Sequence, residues 1–140
     1  GFNAQAFADI HQLVWEKFIC NVMCSAPCTA FECNIGGLFA DPQRRKVALG
    51  CMLEAYHIGR AKGINFSFDD AVAYGTKFAA LMPYANPSMR LDHFAGKKSE
   101  IDAINGMVPE LGAALGIATP YNDTLVALVR AKEAQFSQSQ

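Results

Sequence analysis

Helix start and stop signals recur along the chain, and they constrain its fold more than any other feature of the sequence. Asp41-Pro42 and Thr119-Pro120 each place a capping side chain directly before a proline, an order that favours the first turn of a helix. No run alternates between apolar and polar residues with the period of two that a half-buried strand shows. The sequence therefore predicts an all-α fold, a multi-helix bundle.

Apolar residues at helical spacing place the individual helices. The predicted segments cover 10–25, 42–62, 71–82, 88–94, 100–116 and 120–136. Pro109 is expected to kink the fifth segment, and Leu125, Leu128 and Val129 are expected to face the core from the last one. The glycine-rich run Asn34-Ile35-Gly36-Gly37 is predicted to be a simple turn, because it lacks both the P-loop and the G-x-G-x-x-G pattern of phosphate sites.

Length and charge narrow the class of protein. The 140 residues fit one domain, 1–140, with no room for a second. The net charge of −1 and the 18% of charged residues give no basic surface for nucleic acid. No apolar run approaches the ~20 residues of a membrane span, and no secretory signal opens the chain, so a cytoplasmic protein without membrane contact is expected. The first residue is Gly rather than Met, which suggests a piece of a longer protein.

The cysteines are predicted to be packing residues. Five are present, an odd number that argues against a disulfide framework. Cys20, Cys24 and Cys28 follow one another at helical i+4 spacing, which could in principle build a thiolate metal site with a histidine. Because no C-x-x-C pair is present and one buried helix face does not bring cysteines to a tetrahedral point, no metal is expected.

A polar ridge crosses the apolar surface of the first predicted helix. Lys17, Asn21 and Ser25 are four residues apart, so an ammonium, an amide and a hydroxyl line up along one face. Burying an unpaired charge is costly, so Lys17 must reach water, pair with an acid or face a polar ligand. From spacing alone a solvated face is the ordinary interpretation, and ligand binding is the hypothesis to test.

A second polar cluster makes the chain recognisable. Ser88 precedes Glu100 by 12 residues, and Glu100 opens the run Glu100-Ile101-Asp102-Ala103-Ile104-Asn105-Gly106. Together with Lys17 and Asn21 on one helix, this pattern resembles the C-terminal domain of ketopantoate reductase, a fold similar to the C-terminal domain of 6-phosphogluconate dehydrogenase. The resemblance extends from about residue 10 to about residue 136.

The resemblance implies a role for each polar residue. Lys17 matches the family's catalytic lysine, which hydrogen-bonds the substrate ketone and protonates its oxygen. Asn21, Ser25 and Ser88 match positions that contact the substrate, although many relatives carry an asparagine where this chain has Ser25. Glu100 matches a glutamate that takes part in both substrate and cofactor binding.

The resemblance also implies partners that this chain does not contain. Family members bind NADPH on an N-terminal Rossmann domain, absent from this sequence, and reduce 2-dehydropantoate to pantoate on the route to pantothenate and coenzyme A. The expected partners are a small 2-oxo acid, that Rossmann domain and a second copy in a homodimer. Two alternatives remain open at this point: a reductase of another branched 2-oxo acid, and a helical binding or dimerisation module without catalysis.

One spatial expectation follows from these roles. Lys17, Asn21, Ser88 and Glu100 should open onto one shared concavity, because a small substrate can bridge only groups that lie within hydrogen-bonding reach of it. The isolated chain is expected to be inactive, because it lacks the glycine turn that lets backbone approach the pyrophosphate of NADPH.

Overall fold

A computed structural model describes residues 2–138, and the side chains of residues 10–136. These residues form seven α-helices and one 3₁₀ turn, with no β-strand among them, which confirms the all-α prediction. The helices are α1 (Phe2–Phe31), α2 (Ile35–Ala40), α3 (Pro42–Ala61), α4 (Ala71–Leu81), α5 (Ser88–Phe94), α6 (Met107–Leu115) and α7 (Pro120–Gln138), and the 3₁₀ turn is Ile101–Ala103. Within the described part of the chain, no helix is long and apolar enough to cross a membrane.

The predicted capping signal Asp41-Pro42 is seen at the start of α3, whereas the hydroxyl of Thr119 donates to the side chain of Asp123 at 3.0 Å. The carboxylate of Asp41 accepts from the backbone N–H groups of Gln43 and Arg44, and Pro42 takes the first position of α3. The carboxylate of Asp70 accepts from the N–H of Ala73 and caps α4. Local side-chain chemistry therefore fixes both starts.

The longest helix, α1, lies at the centre of the bundle. It packs along α3, and α2, α4, α5 and α7 also contact it. The buried side chains Ile19, Val22 and Met23 belong to this helix and are fully covered. The helix continues to Phe31, beyond the predicted segment 10–25, even though Pro27 lies inside it.

Three further predictions need correction. The segment 100–116 is not one helix kinked at Pro109, because the chain turns at 104–106 and α6 begins only after that turn. Pro109 lies in the first turn of α6, where backbone N–H groups have no carbonyl partner within the helix, so its missing N–H breaks no hydrogen bond. Leu128 does not face the core but is 49% exposed, whereas Val129 is fully buried. The glycine pair is not a simple turn but the first turn of α2.

The first turn of α2 has no free amides for a phosphate. The N–H of Gly37 donates to the side chain of its N-cap residue, Asn34, at 2.8 Å. The N–H of Gly36 donates to the carbonyl of Pro83 at 2.7 Å, and the N–H of Ile35 to the carbonyl of Ala85 at 3.1 Å. These bonds hold α2 against the loop after α4, and they occupy the groups that would bind an anion.

A buried polar network joins α3 to the start of α7. The carboxylate of Glu54 accepts from the backbone N–H of Tyr121 at 2.8 Å and from that of Asn122 at 2.9 Å. It also accepts from the side chain of Asn122 at 2.8 Å. Glu54, although on another helix, therefore satisfies the unpaired N–H groups at the start of α7.

Candidate active site

A pocket of about 320 Å³ opens between α1 and α4, and it contains two of the predicted site residues. Lys17 and Asn21 lie one turn apart on its α1 wall. Both are exposed, so the Lys17 ammonium reaches water. The other lining residues are Leu13, Glu16, Cys20, Tyr74 and Phe78.

The acidic and basic groups of this pocket are not paired with each other. Glu16 is buried, and its carboxylate accepts from the N–H of Ser67 at 2.7 Å and from the hydroxyl of Ser67 at 3.0 Å. Lys17 forms no ion pair with any acid among the described side chains. The pocket therefore combines an unpaired ammonium with an apolar wall formed by Tyr74 and Phe78 of α4, and the unpaired charge suits a small anionic ligand.

Tyr74 and Phe78 are held in place because α4 packs closely against its neighbours. The rings of Tyr74 and Phe68 stack with centroids 4.0 Å apart at an interplanar angle of 15°. At Gly75 an added Cβ would lie 2.6 Å from the sulfur of Met52 and 2.8 Å from that of Met23, so a larger residue there would force these methionine side chains to move. Burial, and then the nearby Cys20 and Glu16, raise the pKa of Tyr74.

Ser25 continues the ridge but lies under cover. It is 5% exposed, and its backbone carbonyl accepts from the hydroxyl of Thr29 at 2.8 Å. Ser25 is therefore not among the residues that line the pocket with Lys17 and Asn21. Its predicted contact with substrate stays a prediction.

Ser88 and Glu100 lie outside the lining of the α1–α4 pocket. Ser88 is the exposed first residue of α5, directly before Met89, which is 1% exposed and anchors the helix in the core. Glu100 is exposed and precedes the 3₁₀ turn, where its carbonyl accepts from the N–H of Ala103 at 3.0 Å. The pocket brings Lys17 and Asn21 together, and the convergence of all four residues stays a prediction.

Sequence reasoning missed the α4 side of the pocket. Tyr74 and Phe78 are one helical turn apart, a spacing that could have indicated a shared face of α4. Which helix that face would meet depends on tertiary packing, which no local pattern encodes.

The cysteines of α1 are buried, as predicted. Cys20, Cys24 and Cys28 are at most 4% exposed. Burial raises the pKa of Cys20 and of Cys24 to about 12, and it also raises the pKa of Cys28. These thiols therefore remain protonated at neutral pH. The described residues hold no group of three His, Cys, Asp or Glu side chains positioned to bind a metal ion.

Comparison with known sequences identifies relatives along most of the chain. The family model described as "Ketopantoate reductase PanE/ApbA C terminal" matches residues 9–133. The 2-dehydropantoate 2-reductase of Streptococcus pyogenes serotype M3 is 33% identical over 133 residues, covering 94% of this chain and 43% of that protein. The 2-dehydropantoate 2-reductase of Caulobacter vibrioides is 35% identical over 119 residues, covering 84% and 40%. The chain thus spans less than half the length of these curated relatives.

Comparison with solved structures gives the same fold. A PanE/ApbA family ketopantoate reductase from Ralstonia eutropha superposes with a TM-score of 0.82 at 32% identity, covering 90% of this chain and 42% of that one. A ternary structure of D-mandelate dehydrogenase with NADH and anilino(oxo)acetate superposes with a TM-score of 0.82 at 26% identity, covering 92% and 42%.

Proposed function

The chain belongs to the ketopantoate reductase family, whose C-terminal domain it matches, and we propose that it forms the substrate side of an NADPH-dependent 2-dehydropantoate 2-reductase. The observation that carries this proposal is the pocket in which Lys17 and Asn21 face an apolar wall on α4. The two polar groups supply hydrogen bonds for an anionic 2-oxo acid, and the wall of Tyr74 and Phe78 accommodates a branched carbon chain.

Lys17 is the proposed catalytic residue. A nicotinamide cofactor, when bound, supplies the hydride that reaches the substrate's carbonyl carbon. Negative charge then develops on the carbonyl oxygen, and an ammonium at hydrogen-bonding distance stabilises that charge more in the transition state than in the ground state. The same ammonium can donate the proton that completes the alcohol. No acid pairs with Lys17 among the described side chains, so its charge is free for the substrate.

The remaining site residues are proposed to bind and orient the substrate. The amide of Asn21, one turn from Lys17, is suited to hold the carboxylate or hydroxyl of the substrate without adding charge. Ser88 and Glu100 are proposed to complete the site from α5 and from the segment before the 3₁₀ turn, with Glu100 also contacting the cofactor. Ser25, one helical turn after Asn21, is proposed as a further contact with the substrate.

A dinucleotide-binding domain is the proposed partner of this chain. The described residues include no strand, and the amides of the only Gly-Gly pair in the sequence, Gly36-Gly37, are already occupied by Pro83 and Asn34. The residues present therefore do not fit the pyrophosphate of NADPH, and the site is proposed to form between this domain and an N-terminal Rossmann domain.

The test is reductase activity with and without the upstream part of the reading frame. The longer protein is expected to oxidise NADPH when 2-dehydropantoate is added, and the 140-residue chain alone is expected not to. If the upstream sequence encodes no dinucleotide fold, the proposal fails and a helical binding module becomes the better description. Turnover by the isolated chain that is lost on Lys17→Ala would contradict the need for a second domain.

A second candidate is the reduction of another 2-oxo acid. The similarity to a D-mandelate dehydrogenase bound to NADH and anilino(oxo)acetate favours it, because that ligand is a 2-oxo acid derivative with a bulky side group. Comparing kcat/KM for 2-dehydropantoate, benzoylformate and smaller branched 2-oxo acids, each with NADPH and NADH, separates the two candidates. A preference for the aryl acid with NADH would replace the first proposal.

A further inference from the structure

The carboxylate of Glu133 on α7 joins two segments that carry predicted site residues. Its Oε2 atom lies 2.8 Å from Nε2 of His93, 2.8 Å from the backbone nitrogen of Ser99 and 2.6 Å from the Ser99 hydroxyl. Because an ionised carboxylate only accepts hydrogen bonds, Nε2 of His93 carries the hydrogen in this arrangement. One oxygen therefore accepts from three donors on two other segments.

This cluster is sheltered from water and ionised. The side chains of His93 and Glu133 are 10% and 7% exposed. Burial alone would raise the pKa of Glu133, but the hydrogen bonds from Ser99 and His93 outweigh it and hold that pKa below its ordinary value. The ring of Phe136 packs edge-on against His93 with centroids 4.9 Å apart. Charge-assisted hydrogen bonds in such surroundings are stronger and more directional than those at the surface.

The position of the cluster in the chain links it to the proposed site. His93 lies on α5, the helix that begins at Ser88. Ser99 directly precedes Glu100, so the bond from its backbone nitrogen fixes the peptide that leads into Glu100. The intervening residues 95–98 are exposed, with a left-handed turn at Gly96. Glu133 therefore restrains the end of the exposed loop 95–98.

We propose that Glu133 is a positioning residue that holds Glu100 at a fixed place relative to Ser88. This inference rests on the proposed function, since it assumes that Ser88 and Glu100 bind the substrate of a 2-oxo acid reductase. Glu133 itself does not touch the substrate. It acts through the backbone of Ser99 and through the ring of His93.

A second bridge between the same helix and the same segment provides a matched control. Arg130, three residues before Glu133 on α7, contacts the carboxylate of Asp102 at 2.6 Å. Those side chains are 59% and 78% exposed, so water competes for both. Arg130→Ala removes a contact between α7 and the 3₁₀ turn that follows Glu100 but leaves the buried cluster in place.

The experiment measures kcat and KM in the longer enzyme that contains this domain. Glu133→Ala is expected to raise the KM of the 2-oxo acid between roughly 10- and 100-fold, because small displacements of binding groups are costly, with a smaller change in kcat. Glu133→Gln, which keeps an acceptor oxygen, is expected to recover part of that loss. Arg130→Ala is expected to change KM less than roughly 2-fold.

A double-mutant cycle separates positioning from general stability. If Glu133 acts through Glu100, Glu133→Ala should add little to the KM of a Glu100→Gln enzyme. A merely structural role would instead give additive effects, and additivity would overturn the inference. If Glu133→Ala does not fold, Ser99→Ala takes its place in the cycle, since it removes one of the three donors and leaves the carboxylate.

The outcomes also distinguish this inference from the proposed function. A longer wild-type enzyme that reduces no 2-oxo acid overturns both. An active wild type in which Glu133→Ala behaves like Arg130→Ala overturns the role of Glu133 and leaves the proposed function standing.

Discussion

The side-chain amide of Asn105 pairs with the backbone of α1 at Val22, 83 positions away. Its Nδ2 donates to the carbonyl of Val22 at 2.9 Å, and its Oδ1 accepts from the N–H of Ala26 at 3.2 Å. These two backbone groups form one i to i+4 step of the helix, next to Pro27, which has no N–H to donate. Asn105 thus supports α1 beside its internal proline and ties the segment after Glu100 to the helix that carries Lys17.

Replacing Asn105 is therefore expected to destabilise the protein strongly. Asn105→Ala leaves the Val22 carbonyl and the Ala26 N–H without this partner, and Asn122 Oδ1 loses a bond of 2.9 Å. At 0% exposure no water replaces the amide, so a loss of about 3 kcal/mol of unfolding free energy is expected. Denaturant unfolding measures it, with the exposed Asn65→Ala as a control. Equal midpoints for the two variants would contradict the role of Asn105.

Removing the ammonium of Lys17 should lower turnover. In the proposed longer reductase, Lys17→Ala is expected to reduce kcat by roughly 10²-fold or more, because in the proposed mechanism the developing negative charge and the proton both depend on Lys17. Lys46→Ala, at another exposed lysine on a helix, serves as the control and should leave kcat near the wild-type value. Steady-state rates of NADPH oxidation give kcat for wild type and both variants. An unchanged kcat in the Lys17 variant would make that residue an ordinary solvated lysine.

The five cysteines should differ in reactivity. Cys33 is partly exposed, whereas Cys20, Cys24, Cys28 and Cys51 are buried with raised pKa values. Because the thiolate is the reactive form, a maleimide at neutral pH is expected to label Cys33 first and the others only on unfolding. Mass spectrometry of digested, briefly labelled protein identifies the modified sites. Rapid labelling of Cys24 in the folded state would contradict the packing.

The buried thiols also predict a loss of stability in alkali. The pKa of Cys24 is about 12 in the folded state against an ordinary 9.0, so its contribution is complete below about pH 9 and is lost as pH rises toward about 12. Each such thiol should remove about 1 kcal/mol between about pH 8 and about pH 10. Unfolding midpoints of wild type and Cys24→Ala over this range measure the difference. The variant should show the shallower decline, and parallel curves would refute the assignment.

Much of the helix pattern could be predicted because its signals are local. Asp41 and Asp70 bond to N–H groups two or three residues ahead, so the sequence carries the whole interaction. The kink predicted at Pro109 is wrong because proline suits a first helical turn as well as it breaks a helix interior, and no local signal marks the turn at 104–106 that makes Pro109 part of a first turn. Leu128 is exposed because the buried face of α7 is formed by Asn122, Leu125, Val126, Val129 and Glu133, and helical periodicity places Leu128 outside that face.

The same distinction between local and long-range contacts applies to the candidate site. Lys17 and Asn21 are one helical turn apart, so their shared face followed from spacing. Asn105 reaches Val22 across 83 positions and Glu133 reaches Ser99 across 34, and such pairings depend on how helices pack. The place of Tyr74 opposite α1 in the pocket depends on helix packing in the same way. Periodicity and capping signals carry no information about those distances.

The cap that Glu54 supplies to α7 has a consequence for the order in which the chain acquires structure. The N–H groups of Tyr121 and Asn122 are satisfied by a carboxylate 67 and 68 positions earlier, on α3. An α7 peptide on its own lacks that acceptor, and short isolated helices are marginal in water. The last helix should therefore gain persistent structure only after α3 has docked, and amide exchange during refolding should show protection in 42–61 before 120–136.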